Sequence, residues 1–243
     1  MAGILRLALP VVAMAILLPG TGEWLRAAAP SERRVTFDTA DGVQLVASWY
    51  EPSNRPAPAV ILVHMFDRSR RDWNILATRL ASSGIGALAI DLRGHGESQR
   101  VPRPSSPGEL SALAADITAA RRYLATRGDV QPGRIGIAGA SLGASLAVLA
   151  AAETSSAGVA LLSPSLDYRG VRIEAAARKV GSPMLLVASA EDGYASRTVR
   201  DLRKAGGGLR EVVTLQDAGH GTMMLDRDPA LAWTLVDWFR RTL

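Results

Sequence analysis

The chain has 243 residues, of which 48% are hydrophobic, 21% charged and 5% aromatic. That globular composition excludes disordered and fibrous classes and fits one catalytic-sized domain. The absence of cysteine excludes disulfides, thiolate metal sites, a cysteine nucleophile and a lipidated cysteine. Lys and Arg (28) exceed Asp and Glu (23), a net charge of +5. The arginines fall singly or in pairs such as Arg33-Arg34 and Arg240-Arg241, and aromatic platforms are scarce, so nucleic acid is not an expected partner.

Residues 1–29 read as a targeting segment. Arg6 is the only charge in residues 1–18; an apolar run over residues 7–18 follows it, and Pro19-Gly20 then breaks any helix. A positive start before an apolar run of roughly 7–15 residues is the pattern of a secretory signal. A spanning helix needs about 20 apolar residues, and Arg6 and Pro10 interrupt this one. Ala27-Ala28-Ala29 supplies small residues for processing, whereas Pro30 disfavours cleavage there. The segment is therefore expected to be removed on export or to stay as a membrane anchor, placing the protein in the periplasm, outside the cell or on a membrane. Residues 30–243 are the expected folded domain.

From residue 35 the chain alternates strand and helix. Residues 35–39 and 43–50 flank Ala40-Asp41-Gly42, whose Asp-Gly is a hairpin signal. Apolar runs predict strands at 59–63, 85–90, 134–138, 159–162, 184–188 and 210–215. Runs without alternation suit strands buried on both faces of a parallel sheet. Between them, residues 72–82 place Trp73, Leu76, Ala77 and Leu80 on one helical stripe, and residues 109–125 do the same with Leu113, Ile117 and Leu124. Further helices are predicted over 142–152, 194–204 and 229–241. The Pro- and Ser-rich residues 99–108 read as a loop leading into the second helix. An antiparallel start followed by repeated strand–helix units predicts an α/β fold: a doubly wound, mostly parallel sheet with helices on both faces.

Three motifs carry chemistry. Gly139-Ala140-Ser141-Leu142-Gly143 lies between a predicted strand and a predicted helix, the setting a nucleophile elbow requires. Small neighbours relieve the crowding of a strained turn, and the Leu142 N–H at the helix start faces developing negative charge. A serine hydroxyl needs a base of near-neutral pKa, and histidine is the natural one. Of His64, His95 and His220, only His220 follows the serine, in Asp217-Ala218-Gly219-His220-Gly221 after the last strand. His64 and His95 are expected to be structural. The acid that orients the imidazole is expected where residues 184–188 run into Ser189-Ala190-Glu191-Asp192-Gly193. Asp192 is preferred, with Glu191 the alternative, and Asp217 reads as a turn residue.

From about residue 35 to its end the chain resembles the α/β-hydrolase superfamily, in particular small lidless serine esterases and dienelactone-hydrolase-like members. The resemblance rests on His64-Met65-Phe66, Asp91-Leu92-Arg93-Gly94-His95-Gly96-Glu97-Ser98, the Ser141 pentapeptide, Glu191-Asp192-Gly193 and Gly219-His220-Gly221. It implies a second oxyanion donor just past His64, which falls on the N–H of Phe66, with Leu142 as its partner. Met65 stands where the family has glycine. Serine stands where dienelactone hydrolases proper use cysteine, so their particular substrate is not carried over. The Asp91–Ser98 loop is implied to be structural, with Arg93 and His95 its candidates for a place near the site.

In this superfamily a cap is inserted before the strand that bears the acid. Residues 165–183 leave room for a loop and one helix, so no sizeable cap is expected. The walls of an open acyl pocket are expected from Met65, Phe66, Trp73, Leu142, Tyr194, Met223 and Met224, although core packing suits each of them equally. Arg68, Arg70 and Arg71 could mark a solvated helix start or meet an anionic substrate group. No metal or nucleotide motif is present. The expected function is a cofactor-independent serine hydrolase cleaving small-molecule carboxylic esters of short acyl chain. Thioester, amide or peptide cleavage, peracid formation and a non-catalytic binding role are the alternatives.

Overall fold

The computed structural model describes residues 31–98 and 101–243. The expected targeting segment, residues 1–29, lies outside the described residues.

The chain opens with the antiparallel hairpin β1 (Glu32–Asp38) and β2 (Gln44–Tyr50). Its turn closes where the sequence placed it: Gly42 takes a φ of 80°, and Thr39 N–H donates to the Val43 carbonyl at 2.9 Å. β3 (Ala57–Val63) follows, then a 3₁₀ turn at Arg70–Trp73, α1 (Asn74–Ser82) and β4 (Gly86–Ile90). Next come α2 (Pro107–Ala112), α3 (Ala114–Ala125), β5 (Val130–Ala140), α4 (Leu142–Glu153) and β6 (Val159–Leu162). The two-residue strands β7 (Asp167–Tyr168) and β8 (Val171–Arg172) form a separate hairpin ahead of α5 (Glu174–Lys179). The chain ends with β9 (Met184–Ser189), α6 (Gly193–Lys204), β10 (Arg210–Leu215), α7 (Met223–Arg227) and α8 (Pro229–Thr242).

The main sheet runs β1-β2-β4-β3-β5-β6-β9-β10 and is parallel from β4 to β10. β4, β6 and β9 are buried at every position, as runs without alternation predict for strands covered on both faces. Alternate residues feed two cores. Ile61 and Val63 join Leu88, Ile137 and Leu186 with α3, α4 and α6 on one face. Val60 and Leu62 join Ala138, Leu185 and Val187 with α1 and α8 on the other. This is the doubly wound α/β architecture the sequence predicted.

Several elements differ from the expectation, the unpredicted α7 and the earlier start of β5 among them. The helix expected over 109–125 is two helices, and α2 starts earlier, because Ser106 and Glu109 form a reciprocal capping box with Pro107 at the first helical position. Residues 165–183 hold the β7–β8 hairpin as well as one helix. They form no cap domain.

The Asp91–Ser98 loop is a structural junction. Asp91, fully buried, accepts from Arg70 N–H at 2.7 Å and Glu97 N–H at 2.8 Å and pairs with the Arg70 guanidinium. Arg70 also reaches Ser48 at 3.0 Å and Glu97 at 2.7 Å. Arg93 holds Asp116 of α3 at 2.7 Å and Asp41 of the first hairpin. Neither arginine is free for substrate: Arg93 belongs to the scaffold, and Arg70 is locked in a buried ion network. Removing one member of such a network leaves the other charge buried and unpaired, so Arg70→Ala should lower unfolding stability by about 3–5 kcal/mol in chemical denaturation. A loss below about 1 kcal/mol, the range of exposed pairs, would show that the network is not a structural anchor.

Candidate active site

The elbow closes tightly because only glycine fits at its two ends, Gly139 and Gly143. A Cβ on Gly139 would overlap the Gly143 carbonyl. One on Gly143 would overlap the Val63 carbonyl oxygen and lie 2.6 Å from that of His64. The turn between β5 and α4 therefore closes tightly, and Ser141 takes φ 52°, ψ −115°, a conformation that costs an L-residue about 1–3 kcal/mol. Its N–H donates to the Leu162 carbonyl of β6 at 2.9 Å, and its own carbonyl accepts from Ala144 at 3.0 Å. Ser141 keeps 8% of its surface exposed. α4 is buried on nearly every side, so the serine stands on a rigid support.

His220 is exposed, and its Nδ1–H donates to Asp192 Oδ2 at 2.6 Å. The other oxygen of Asp192 accepts from Ala195 N–H at 3.1 Å and caps α6. One carboxylate thus does both jobs weighed for it, and its capping bond fixes the oxygen that meets the imidazole. A proton held at Nδ1 leaves the Nε2 lone pair free to take another. Among the described residues the Ser141 hydroxyl makes no hydrogen bond to His220.

The loop that carries His220 hangs from the ends of β6 and β9. Glu191 accepts from Asp217 N–H at 3.0 Å and Gly219 N–H at 2.7 Å. Ser189 Oγ accepts from Ala218 N–H at 2.9 Å, and Ser163 Oγ from Gly221 N–H at 2.9 Å. Glu191 is a positioning residue in this structure, and Asp192 is the partner of the imidazole. The Ser189 hydroxyl and these amides hold the Glu191 carboxyl at about 2, below its ordinary value.

His64 is fully buried. Its Nδ1–H donates to the Met65 carbonyl at 2.6 Å and its Nε2 accepts from Leu92 N–H at 3.1 Å; burial pushes its pKa down to about 4. His95 is buried 5.2 Å from it and meets the Phe66 ring edge at 5.5 Å. Both are packing histidines, as expected. Leu142, at the first position of α4, has no intrahelical acceptor for its N–H. Phe66 sits in a turn closed by Arg68 N–H to the Met65 carbonyl at 3.2 Å, with Asp67 at φ 59°.

The structure corrects the expected pocket walls. Trp73 and Met224 are fully buried in the core beneath α1 and α8 and reach no substrate. Met65 also turns inward: its sulfur occupies the space that a Cβ on Gly221 would need. The methionine is tolerated in place of the family's glycine because the residue after His220 is itself glycine. Tyr194 and Met223 are exposed at the rim, 47% and 40%. A cavity of about 640 Å³ lies elsewhere, between α5 and α6. Sequence reasoning missed Ser163 and Ser189. Their only local signal is a serine at the carboxyl end of each buried strand.

Residues 54–180 match the family model described as serine aminopeptidase, S33. An uncharacterized protein of Mycobacterium tuberculosis is 40% identical over 139 residues, 56% of this chain and 46% of that protein. A polyketide transferase of Stachybotrys chlorohalonatus is 30% identical over 136 residues, 55% and 45% of the two chains. The chain thus spans about half the length of the curated relatives it matches. Among solved structures, a dienelactone hydrolase from Anabaena variabilis aligns with a TM-score of 0.73 at 22% identity, covering 88% of this chain and 99% of that one. An acetyl xylan esterase from Paenibacillus sp. R4 aligns at 0.76 and 19%, covering 90% and 86%. At these identities the likeness is one of fold.

The Glu191 carboxylate gives a signed pH prediction. Its folded pKa lies below the unfolded value, so its contribution is complete above about 4.3 and is lost as pH falls toward 2. Glu191→Gln should therefore lose less stability than wild type between pH 4.5 and about 2 in denaturant titrations. Equal acid-side losses in the two proteins would show that Glu191 does not hold the loop through its charge.

Proposed function

Because the chain belongs to the serine aminopeptidase S33 family of α/β-hydrolases, we propose that it is a serine hydrolase of short-chain carboxylic esters acting through an acyl-enzyme on Ser141. The observation that carries this reading is the 2.6 Å bond from His220 Nδ1 to Asp192, on a loop tied through Ser163 to the end of β6, the same strand end that accepts from the N–H of a serine held in a strained elbow. His220 Nε2 takes the Ser141 proton as the oxygen attacks the acyl carbon, and Asp192 stabilises the imidazolium. The N–H groups of Leu142 and Phe66 receive the oxyanion. The imidazolium returns its proton to the leaving alkoxide, and water releases the acyl group by the same steps.

Thioester, amide or peptide cleavage and peracid formation use the same groups. An ester is favoured because the described residues form no cap domain over the site, which suits a good leaving group and a small acyl part. Residues 1–29 are proposed to carry the protein to the membrane or across it. Among the described residues no helix is long and apolar enough to cross a membrane.

A series of 4-nitrophenyl esters tests the reading. Each buried methylene adds about 0.8 kcal/mol, roughly fourfold in kcat/KM, until the chain outgrows the shallow rim. The optimum should fall at about two to six acyl carbons, and Ser141→Ala should abolish turnover at every length. Values still rising at long chains would contradict the open site; turnover that survives Ser141→Ala would contradict the nucleophile.

A further inference from the structure

The β7–β8 hairpin brings a guanidinium to the oxyanion loop. Its tip is Arg169-Gly170, with φ of 50° and 87°. Two successive residues of that kind form a hairpin turn whose usual pair is Asn-Gly. Arginine at the first position is thus held in left-handed backbone against its own preference. The tip is well anchored. Asp167 accepts from Gly170 N–H at 2.6 Å and from Arg172 Nε–H at 3.0 Å. A Cβ on Gly170 would come within 2.7 Å of the Pro107 ring, so the tip abuts the start of α2.

From this tip the Arg169 guanidinium lies over the Phe66 ring, 4.9 Å from its centroid, and 5.7 Å from that of Tyr168. Among the described residues no carboxylate pairs with Arg169. Asp67, which follows Phe66, and Asp167, on the same hairpin, are engaged elsewhere, by Arg103 and Arg172. A guanidinium resting on an aromatic face keeps its in-plane N–H donors free, and their fork matches a carboxylate. The ring beneath it belongs to the residue whose N–H is assigned to the oxyanion. The free donors therefore lie against the side chain of the residue to which the second oxyanion N–H is assigned.

We propose that Arg169 selects esters whose acyl part ends in a carboxylate, the hemiesters of short dicarboxylic acids. The proposal rests on the ester-hydrolase reading above and narrows its substrate class. It also runs against aminopeptidase activity at this site, because the α-ammonium of a peptide would meet an unpaired cation.

The test compares 4-nitrophenyl hydrogen glutarate with its neutral methyl ester. Wild type should favour the hemiester in kcat/KM by about tenfold or more. Arg169→Gln and Arg169→Gly should each bring that ratio close to one. Glycine accepts positive φ without strain, so a preference lost in that variant is not a folding defect. Binding of the same two esters to Ser141→Ala by calorimetry separates the two claims. Tighter binding of the hemiester that disappears when Arg169→Gln is added supports the anion site even if wild type turns over neither ester, an outcome that would remove only the hydrolase reading. Equal rates and equal binding for the two esters, or a preference that survives Arg169→Gln, would overturn the anion site.

Discussion

The approach of α4 to the ends of β3 and β5 sets the geometry of the whole site. Gly143 lies so close to the Val63 and His64 carbonyls that any side chain there would collide with them. That contact fixes where the helix begins and aims its first N–H. With Gly139, it also forces Ser141 to bridge strand and helix at φ 52°. The backbone strain is sustained by burial: α4 is enclosed by the sheet and by α3 and α5, and its many alanines let it sit deep. A looser helix would let the serine relax and lose its aim.

The histidine is held by a different device. No helix or strand supports residues 217–221; four amides on either side of His220 are instead bonded to Glu191, Ser189 and Ser163. Ser163 takes φ 49° directly after β6, the strand whose last carbonyl accepts from Ser141. The end of β6 therefore touches both Ser141 and the His220 loop, coupling two parts of the chain far apart in sequence. Glu191 and Asp192 illustrate a division of labour between adjacent carboxylates. The first accepts hydrogen bonds from backbone amides and shapes the loop; the second accepts a hydrogen bond from the imidazole N–H while capping α6.

Much of this was legible in the sequence because the relevant signals are local. Strands covered on both faces lack alternation, and β6 and β10 match their predicted bounds. The elbow announces itself through glycines that a close contact demands. The resemblance brought Phe66 and the likeness to lidless esterases; composition alone would have supplied neither. Other features depend on contacts that no window contains. Met223 and Met224 are neighbours, yet one is exposed and the other fully buried, because α7 turns consecutive side chains about 100° apart. Trp73 sits on the predicted apolar stripe and behaves as core. The two-residue strands of β7 and β8 are too short to leave a pattern, and the placement of Arg169 over Phe66 appears only in three dimensions.

The central claim is that His220, oriented by Asp192, activates Ser141. Labelling with a fluorophosphonate, followed by mass mapping of the adduct, tests it most directly. A single adduct on Ser141 is expected, forming at least about a hundredfold more slowly in His220→Ala, the scale of general-base assistance. An adduct on another residue, or a labelling rate indifferent to His220→Ala, would contradict the account.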